Sequence, residues 1–149
     1  MKTANRKFQR DYELIEPYEA GIVLTGAEVK SVKQGHIKLE DAFVRIVGSE
    51  AFLINAEVSI YNFSRPQGYD SRRSRKLLLH KKELLRLKVK MASSGRLTIV
   101  PVACYNKGHL VKLQIALAKG RKEVEKKNLD KRRDIVRDQE REAKEYMKE

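Results

Sequence analysis

The sequence predicts a mainly β domain with short helices, an α+β arrangement closed into a small antiparallel β-barrel and followed by a charged C-terminal tail. Three observations carry that reading. Period-two alternation of apolar residues dominates positions 1–118. Only two stretches interrupt it with helical spacing, and the composition shifts near Lys119. Roughly six strands with two flanking helices in a chain this size favour a small closed barrel, although pattern alone does not separate one kind of small β-barrel from another. The 149 residues suit one domain with an appendage and allow a modest core.

The elements follow in chain order. Ile22, Val23 and Leu24 favour a strand, and Thr25 with Glu28 three residues later has the form of a capping box. The helix so begun ends near Gly35, a residue suited to a helix C-terminus. Ala42, Val44 and Ile46 alternate with Phe43, Arg45 and Val47, and Gly48-Ser-Glu50 turns the chain into residues 51–56, a hairpin signal. Arg75-Lys-Leu-Leu-Leu-His80 is an apolar run entered through two cations and left through a basic helix. That helix starts near His80 with Glu83 in its first turn. Leu84, Leu87 and Met91 form a stripe with Leu85 and Val89 beside it, and Ser93-Ser-Gly95 ends it. Residues 97–102 form another strand, in which Pro101 marks an edge or a bulge. Asn106-Lys-Gly108 then turns back into residues 110–118, where Val111, Leu113, Ile115 and Leu117 share one face while Lys112 and Gln114 point the other way. The globular part is therefore expected at 1–118 and the tail at 119–149.

Charge narrows the partners. The chain has 33 Lys/Arg against 20 Asp/Glu, a formal net charge of +13, with a pI near 9.9. Such an excess concentrates polyanions at the surface and speeds encounter with them; the bland alternative is a surface that merely keeps the protein soluble. Between Arg65 and Lys90 there are 10 Lys/Arg against only Asp70 and Glu83. Arg72, Arg73, Arg75 and Lys76 cluster in a loop, and Lys81, Lys82, Arg86, Lys88 and Lys90 cover the polar side of the second helix. Tyr61, Phe63 and Tyr69 lie nearby. Cations for phosphates and rings for unpaired bases are what structured RNA requires. A solvated helix face and ordinary loop packing are the competing readings.

Catalytic chemistry is not in evidence. His36, His80 and His109 lack metal-ligand spacing, and Cys104 is the only thiol, set in an apolar run. No phosphate-cradling glycine loop or nucleophile elbow occurs. The adjacent carboxylates Glu40 and Asp41 read as turn residues. A non-enzyme without metal or cofactor is expected, with a nuclease of scattered ligands a distant third class. No apolar stretch approaches the roughly 18–20 residues that span a bilayer, and no secretory leader is readable. The expected location is cytoplasmic.

Two strings, Glu19-Ala-Gly-Ile-Val-Leu-Thr-Gly-Ala-Glu-Val-Lys-Ser31 and Arg75-Lys-Leu-Leu-Leu-His80, resemble the SmpB family of small bacterial proteins that bind transfer-messenger RNA and serve trans-translation. The resemblance runs from about Asn5 to about Lys127. It implies an OB-like barrel that grips the tRNA-like elbow of that RNA and delivers it to stalled ribosomes, the protein replacing the missing anticodon arm. It also implies contact with the ribosomal decoding region and messenger channel, engagement of an elongation factor through the RNA complex, no membrane, and a monomer. A general RNA-binding OB module or ribosome-associated protein is the alternative. The family's elbow-binding positions fall on Asn5, Glu19 and Leu78. Each has a second reading: Asn5 as a turn residue, Glu19 as a structural hydrogen-bonding group, and Leu78 as core. A carboxylate repels phosphate, so as a contact Glu19 must take base or ribose donors or orient a cation.

The family's tail motif is Gly-Lys-Lys followed closely by His-Asp-Lys-Arg. Gly120-Arg-Lys122 resembles the first part. An ungapped match sets Val124-Glu-Lys-Lys127 on the second, so the His is absent; it also sets Arg133-Asp134 on a later Arg-Asp of the family, whereas Asp130-Lys-Arg132 matches only through an insertion. Expected ribosome contacts are Lys119, Arg121, Lys122, Lys126, Lys127, Lys131, Arg132 and Arg133. The tail is rich in helix formers but has only the thin apolar stripe Val136, Ala143 and Met147. Disorder in isolation and helix on the ribosome are expected. Residues 119–133 carry 8 basic against 3 acidic side chains, whereas 134–149 carry 4 against 6.

Overall fold

A computed structural model describes residues 1–60 and 68–148, with side chains through Lys144. The strands are β1 (Lys2–Ala4), β2 (Tyr12–Ile22), β3 (Ile37–Lys38), β4 (Phe43–Val47), β5 (Glu50–Ile54), β6 (Glu57–Val58), β7 (Arg75–Leu78), β8 (Leu97–Lys107) and β9 (Leu110–Gly120). The helices are α1 (Phe8–Asp11), α2 (Gly26–Lys33), α3 (Lys81–Ser93) and α4 (Glu123–Lys148). The class is mixed α+β, mostly sheet. Seven strands pair antiparallel in the order β1-β8-β4-β5-β7-β2-β9, β9 pairs with β8 as well, and β3 and β6 form a separate pair.

Alternation builds the core. Inward residues of β9 (Val111, Leu113, Ile115 and Leu117) meet Tyr18 and Ala20 of β2, Val44 of β4, Leu53 of β5, Leu77 of β7 and Ile99 of β8. Helix α2 contributes Val32 and α3 contributes Leu87. Of the expected α3 stripe, Leu87 is buried and Leu84 and Met91 pack against the core, whereas Leu85 and Val89 stay exposed. A second small cluster lies under α1, where Phe8 covers Val100, Ala116 and Ala118. This is why the outward residues of β9 near its end are small.

Local signals act as expected. Thr25 Oγ1 accepts from the Glu28 amide at 3.3 Å, and Glu28 Oε1 accepts from the Thr25 amide at 2.9 Å, so both halves of the capping box are made. The turn between β4 and β5 uses Gly48 at φ +61°, a left-handed conformation that glycine adopts without a Cβ clash. A register shift between Pro101 and Ala103 makes the bulge that Pro101 signalled. Some boundaries differ from expectation. Of Ile22, Val23 and Leu24 only Ile22 lies in a strand, as the last residue of β2. Strand β8 runs on through Lys107, and β9 runs past Ala118, with Lys119 opposite Leu97 and Gly120 opposite Tyr12. Among the described residues, no helix is long and apolar enough to cross a membrane, and no group of three or more His, Cys, Asp or Glu is arranged to hold a metal ion.

Candidate nucleic-acid interface

Strand β2 separates structure from surface by its period of two. Tyr18 and Ala20 point into the core, so Glu19 and Gly21 point out. Gly21 stands opposite Leu78 of β7 and Lys112 of β9; Glu19 stands opposite Gln114, and Lys112 opposite Tyr105 of β8. Directly opposed residues share a face, so Glu19, Leu78, Lys112, Gln114 and Tyr105 form one outward patch. A Cβ on Gly21 would lie 3.3 Å from the Leu78 Cβ. Glycine at this position lets the Leu78 side chain lie across β2.

Leu78 is 55% exposed, so it is no core residue; its neighbour Leu77 takes that place. Within the patch, the Tyr105 hydroxyl donates to Glu19 Oε2, and Lys107 Nζ lies 3.7 Å from Glu19 Oε1. The Tyr105 hydrogen bond, aided by the charges of Lys107 and Lys112, holds the Glu19 carboxyl below the usual carboxylate range. Desolvation and the same hydrogen bond push the Tyr105 phenol up to about 12. Beside these groups, Met1, Lys2, Pro17 and Gln114 wall a shallow concavity of about 700 Å³.

The basic loop is divided in two by the same alternation. Arg75 and Leu77 point inward, Lys76 and Leu78 outward. Arg75, expected among the RNA contacts, is fully buried and is corrected to a structural role. Its Nε and Nη2 donate to Glu28 Oε2 at 2.9 and 2.7 Å, and its Nη1 donates to the carbonyls of Ala56 at 2.9 Å and Arg73 at 3.0 Å. Arg73 pairs with the same Glu28 carboxylate, which is itself fully buried. The Tyr69 hydroxyl lies 3.1 Å from Glu28 Oε2 and accepts from Arg75 Nη2 at 3.2 Å, so this ring belongs to the network. Burial alone would raise the Glu28 carboxyl. Hydrogen bonds from Arg73, the Thr25 backbone and Arg75 outweigh it and hold the carboxyl at about 2. The remaining loop cations are available at the surface: Arg72 lies 3.6 Å from Glu57 and Lys76 lies 3.3 Å from Glu50. Tyr61, Phe63 and Arg65 lie outside the described residues.

Helix α3 presents Lys81 and Lys82 to solvent, whereas its Arg86 and Lys90 clamp Glu16 of β2. Asn5 is buried. Its Nδ2 donates to the Pro101 carbonyl at 2.9 Å, its Oδ1 accepts from the Lys7 amide at 3.2 Å, and its own amide donates to Val102 O at 2.7 Å. It fixes the turn between β1 and α1 against the β8 bulge.

The tail root is tied to α1. The Arg121 amide donates to Asp11 O at 2.8 Å, and its Nε donates to Gln9 O at 3.1 Å and Tyr12 O at 3.2 Å. Lys126 lies 3.6 Å from Asp11, Arg10 pairs with Asp130 at 3.2 Å, and Arg133 donates to Gln9 Oε1 at 3.4 Å. Lys119, Lys122, Lys127, Lys131 and Arg132 are exposed, and Met147 of the expected apolar stripe lies beyond the described side chains. Sequence reasoning named Glu19 and Leu78 but missed Tyr105 and Lys112 as their neighbours. The outward phase of Lys112 and Gln114 on β9 was the available signal.

A family model described as SmpB protein matches residues 2–145. The chain belongs to the SmpB family. An SsrA-binding protein of Sulfurihydrogenibium sp. (strain YO3AOP1) is 48% identical over 134 residues, covering 90% of this chain and 88% of the relative. An SsrA-binding protein of Coprothermobacter proteolyticus is 45% identical over 142 residues, covering 94% of each. A chain in the solved structure "tmRNA-SmpB: a journey to the center of the bacterial ribosome" superposes with a TM-score of 0.68 at 41% identity, covering 82% of this chain and 85% of that one.

Proposed function

We propose that this SmpB-family chain binds transfer-messenger RNA and carries it to stalled ribosomes for trans-translation, acting without catalysis. The observation that carries the reading is the register of β2, which unites Glu19 and Leu78, two positions implicated in elbow binding by the family resemblance, on a single outward patch. Leu78 supplies an apolar surface for an exposed base or ribose. Glu19, an acceptor only, suits donors and repels phosphates. Arg72, Lys76, Lys81 and Lys82 flank the patch with charge for the backbone, each phosphate contact adding roughly 0.7–0.9 to the slope of log affinity against log salt. The globular part is an OB-like closed barrel, a reading supported by β9 pairing with both β2 and β8, so that the pairings run from β8 round to β8 with β1 outside the ring.

The same reading assigns the tail to decoding. The tail extends as a replacement for the anticodon arm and probes the vacant messenger channel, meeting ribosomal RNA with Lys119 at the end of β9, Arg121 and Lys122 in the link, and Lys126, Lys127, Lys131, Arg132 and Arg133 on α4. Free in solution its thin apolar stripe buries no core and the helix frays; phosphates neutralise its charge on the ribosome. The complex is taken up with an elongation factor that recognises the RNA, and the protein acts as a cytoplasmic monomer. Truncation after Lys122, which spares all of β9, tests the division. Expected are near-normal binding of transfer-messenger RNA in a gel shift and loss of peptide tagging in a reconstituted translation reaction. Full tagging by the truncated protein would overturn the role of the tail. Equal affinity for unrelated structured RNAs would favour a general RNA-binding module instead.

A further inference from the structure

We infer that Tyr105 is a positioning residue for RNA recognition: its hydroxyl, hydrogen-bonded to Glu19, fixes the carboxylate so that its remaining lone pairs face a hydrogen-bond donor of the RNA. This rests on the reading of Glu19 as an RNA contact. A glutamate on an outward sheet face has three rotatable bonds, and ordering it costs side-chain entropy. Tyr105 removes much of that cost before RNA arrives. It reaches Glu19 from β8 across the intervening strand β9, on which Lys112 is its cross-strand neighbour. Its ring is half-buried, so the hydroxyl is delivered from a rigid base. Lys107, 3.7 Å from the other carboxylate oxygen, balances the charge that would otherwise repel an approaching polyanion. One oxygen is thus held by a neutral donor and the other stays accessible, its charge partly offset. A carboxylate with two bound oxygens would have little left to offer RNA, and one with none would swing away from the phosphates.

The test is a double-mutant cycle on the full chain with an in vitro transcript of the tRNA-like domain of transfer-messenger RNA, read by gel shift and repeated with an unrelated RNA duplex of equal length. Tyr105→Phe keeps the ring and removes only the hydroxyl. It should weaken binding of the tRNA-like transcript by about fivefold to tenfold, because Glu19 must then be ordered at the moment of binding, and leave duplex binding unchanged. In a Glu19→Gln background the same substitution should have less than a twofold effect. A merely structural tyrosine would give equal losses in both backgrounds and with both RNAs, together with a lowered urea midpoint, and that pattern would overturn the inference. If Glu19→Gln weakens binding while Tyr105→Phe does not, Glu19 is a contact that needs no positioning, and only the role of Tyr105 fails. If Glu19→Gln binds normally, the reading of Glu19 fails and the inference goes with it.

Discussion

Replacing Arg75 by methionine removes the guanidinium while filling most of its volume, and so isolates the charge. Both Arg75 and Glu28 are fully buried, and the carboxyl is held at about 2 against an ordinary value of 4.5. A depression of that size corresponds to about 3 kcal/mol in favour of the charged form. Arg75 supplies two of the hydrogen bonds to Glu28 Oε2, at 2.9 and 2.7 Å, and breaking a buried pair by removing one partner costs about 3–5 kcal/mol. Arg73 and the Thr25 amide remain, so the lower end, about 3 kcal/mol, is the expected loss, equivalent to a melting temperature lower by about 10 °C. Urea unfolding at pH 7 measures it. The pH dependence has a definite sign. Because the folded Glu28 carboxyl is depressed, its contribution is complete above about pH 4.5 and fades as pH falls toward 2, so the gap between Arg75→Met and the parent should narrow over that window. RNA affinity of the folded variant should change by less than about threefold with an unaltered salt slope. Unfolding free energy within about 0.5 kcal/mol of the parent, coupled with a large loss of RNA affinity and a shallower salt slope, would refute the buried network and make Arg75 a phosphate contact.

Two further expectations concern adjacent or single residues. Leu77→Ser should destabilise by about 3 kcal/mol in urea unfolding, whereas Leu78→Ser should cost less than about 0.5 kcal/mol and weaken tRNA-like RNA binding in a gel shift; the reverse pattern would invalidate the facing of β7. Cys104 is fully buried and desolvation pushes its thiol up to about 11, so maleimide at pH 7 should label it only as fast as the domain opens, and rapid labelling of the native protein would contradict its burial.

What was legible in the sequence was what a few neighbouring residues decide. The capping box at Thr25 and Glu28, the hairpin through Gly48, the bulge at Pro101 and the inward face of β9 all arise from contacts within a turn or from one strand's own alternation. The illegible elements depend on distant partners. Strand β1 has three residues and exists because Lys2, Thr3 and Ala4 pair with Tyr105, Cys104 and Ala103. Strand β2 is long but interrupted: Pro17 and the register shift between Leu14 and Glu16 break its period, and its order comes from lying between β7 and β9.

The basic loop shows the same limit from the side of function. Adjacent cations in a sequence say nothing about which way each one points, and a carboxylate 47 residues away decided the fate of Arg75. Once the strand is known to begin at Arg75, alternation assigns Arg75 and Leu77 to the fold and Lys76 and Leu78 to the surface. The consequence is electrostatic. Glu28 holds Arg73 and Arg75 in a buried network that RNA cannot enter without exposing a desolvated charge, whereas the exposed pairs Lys76–Glu50 and Arg72–Glu57 are worth about 0–1 kcal/mol and exchange readily for phosphate. Of the four clustered cations, then, two hold the loop in shape and two are free to move onto a ligand. Under the proposed function, the attraction that the loop was expected to supply rests more on Lys81 and Lys82 at the start of α3, which stand in solvent close in sequence to the exposed Leu78 at the end of β7.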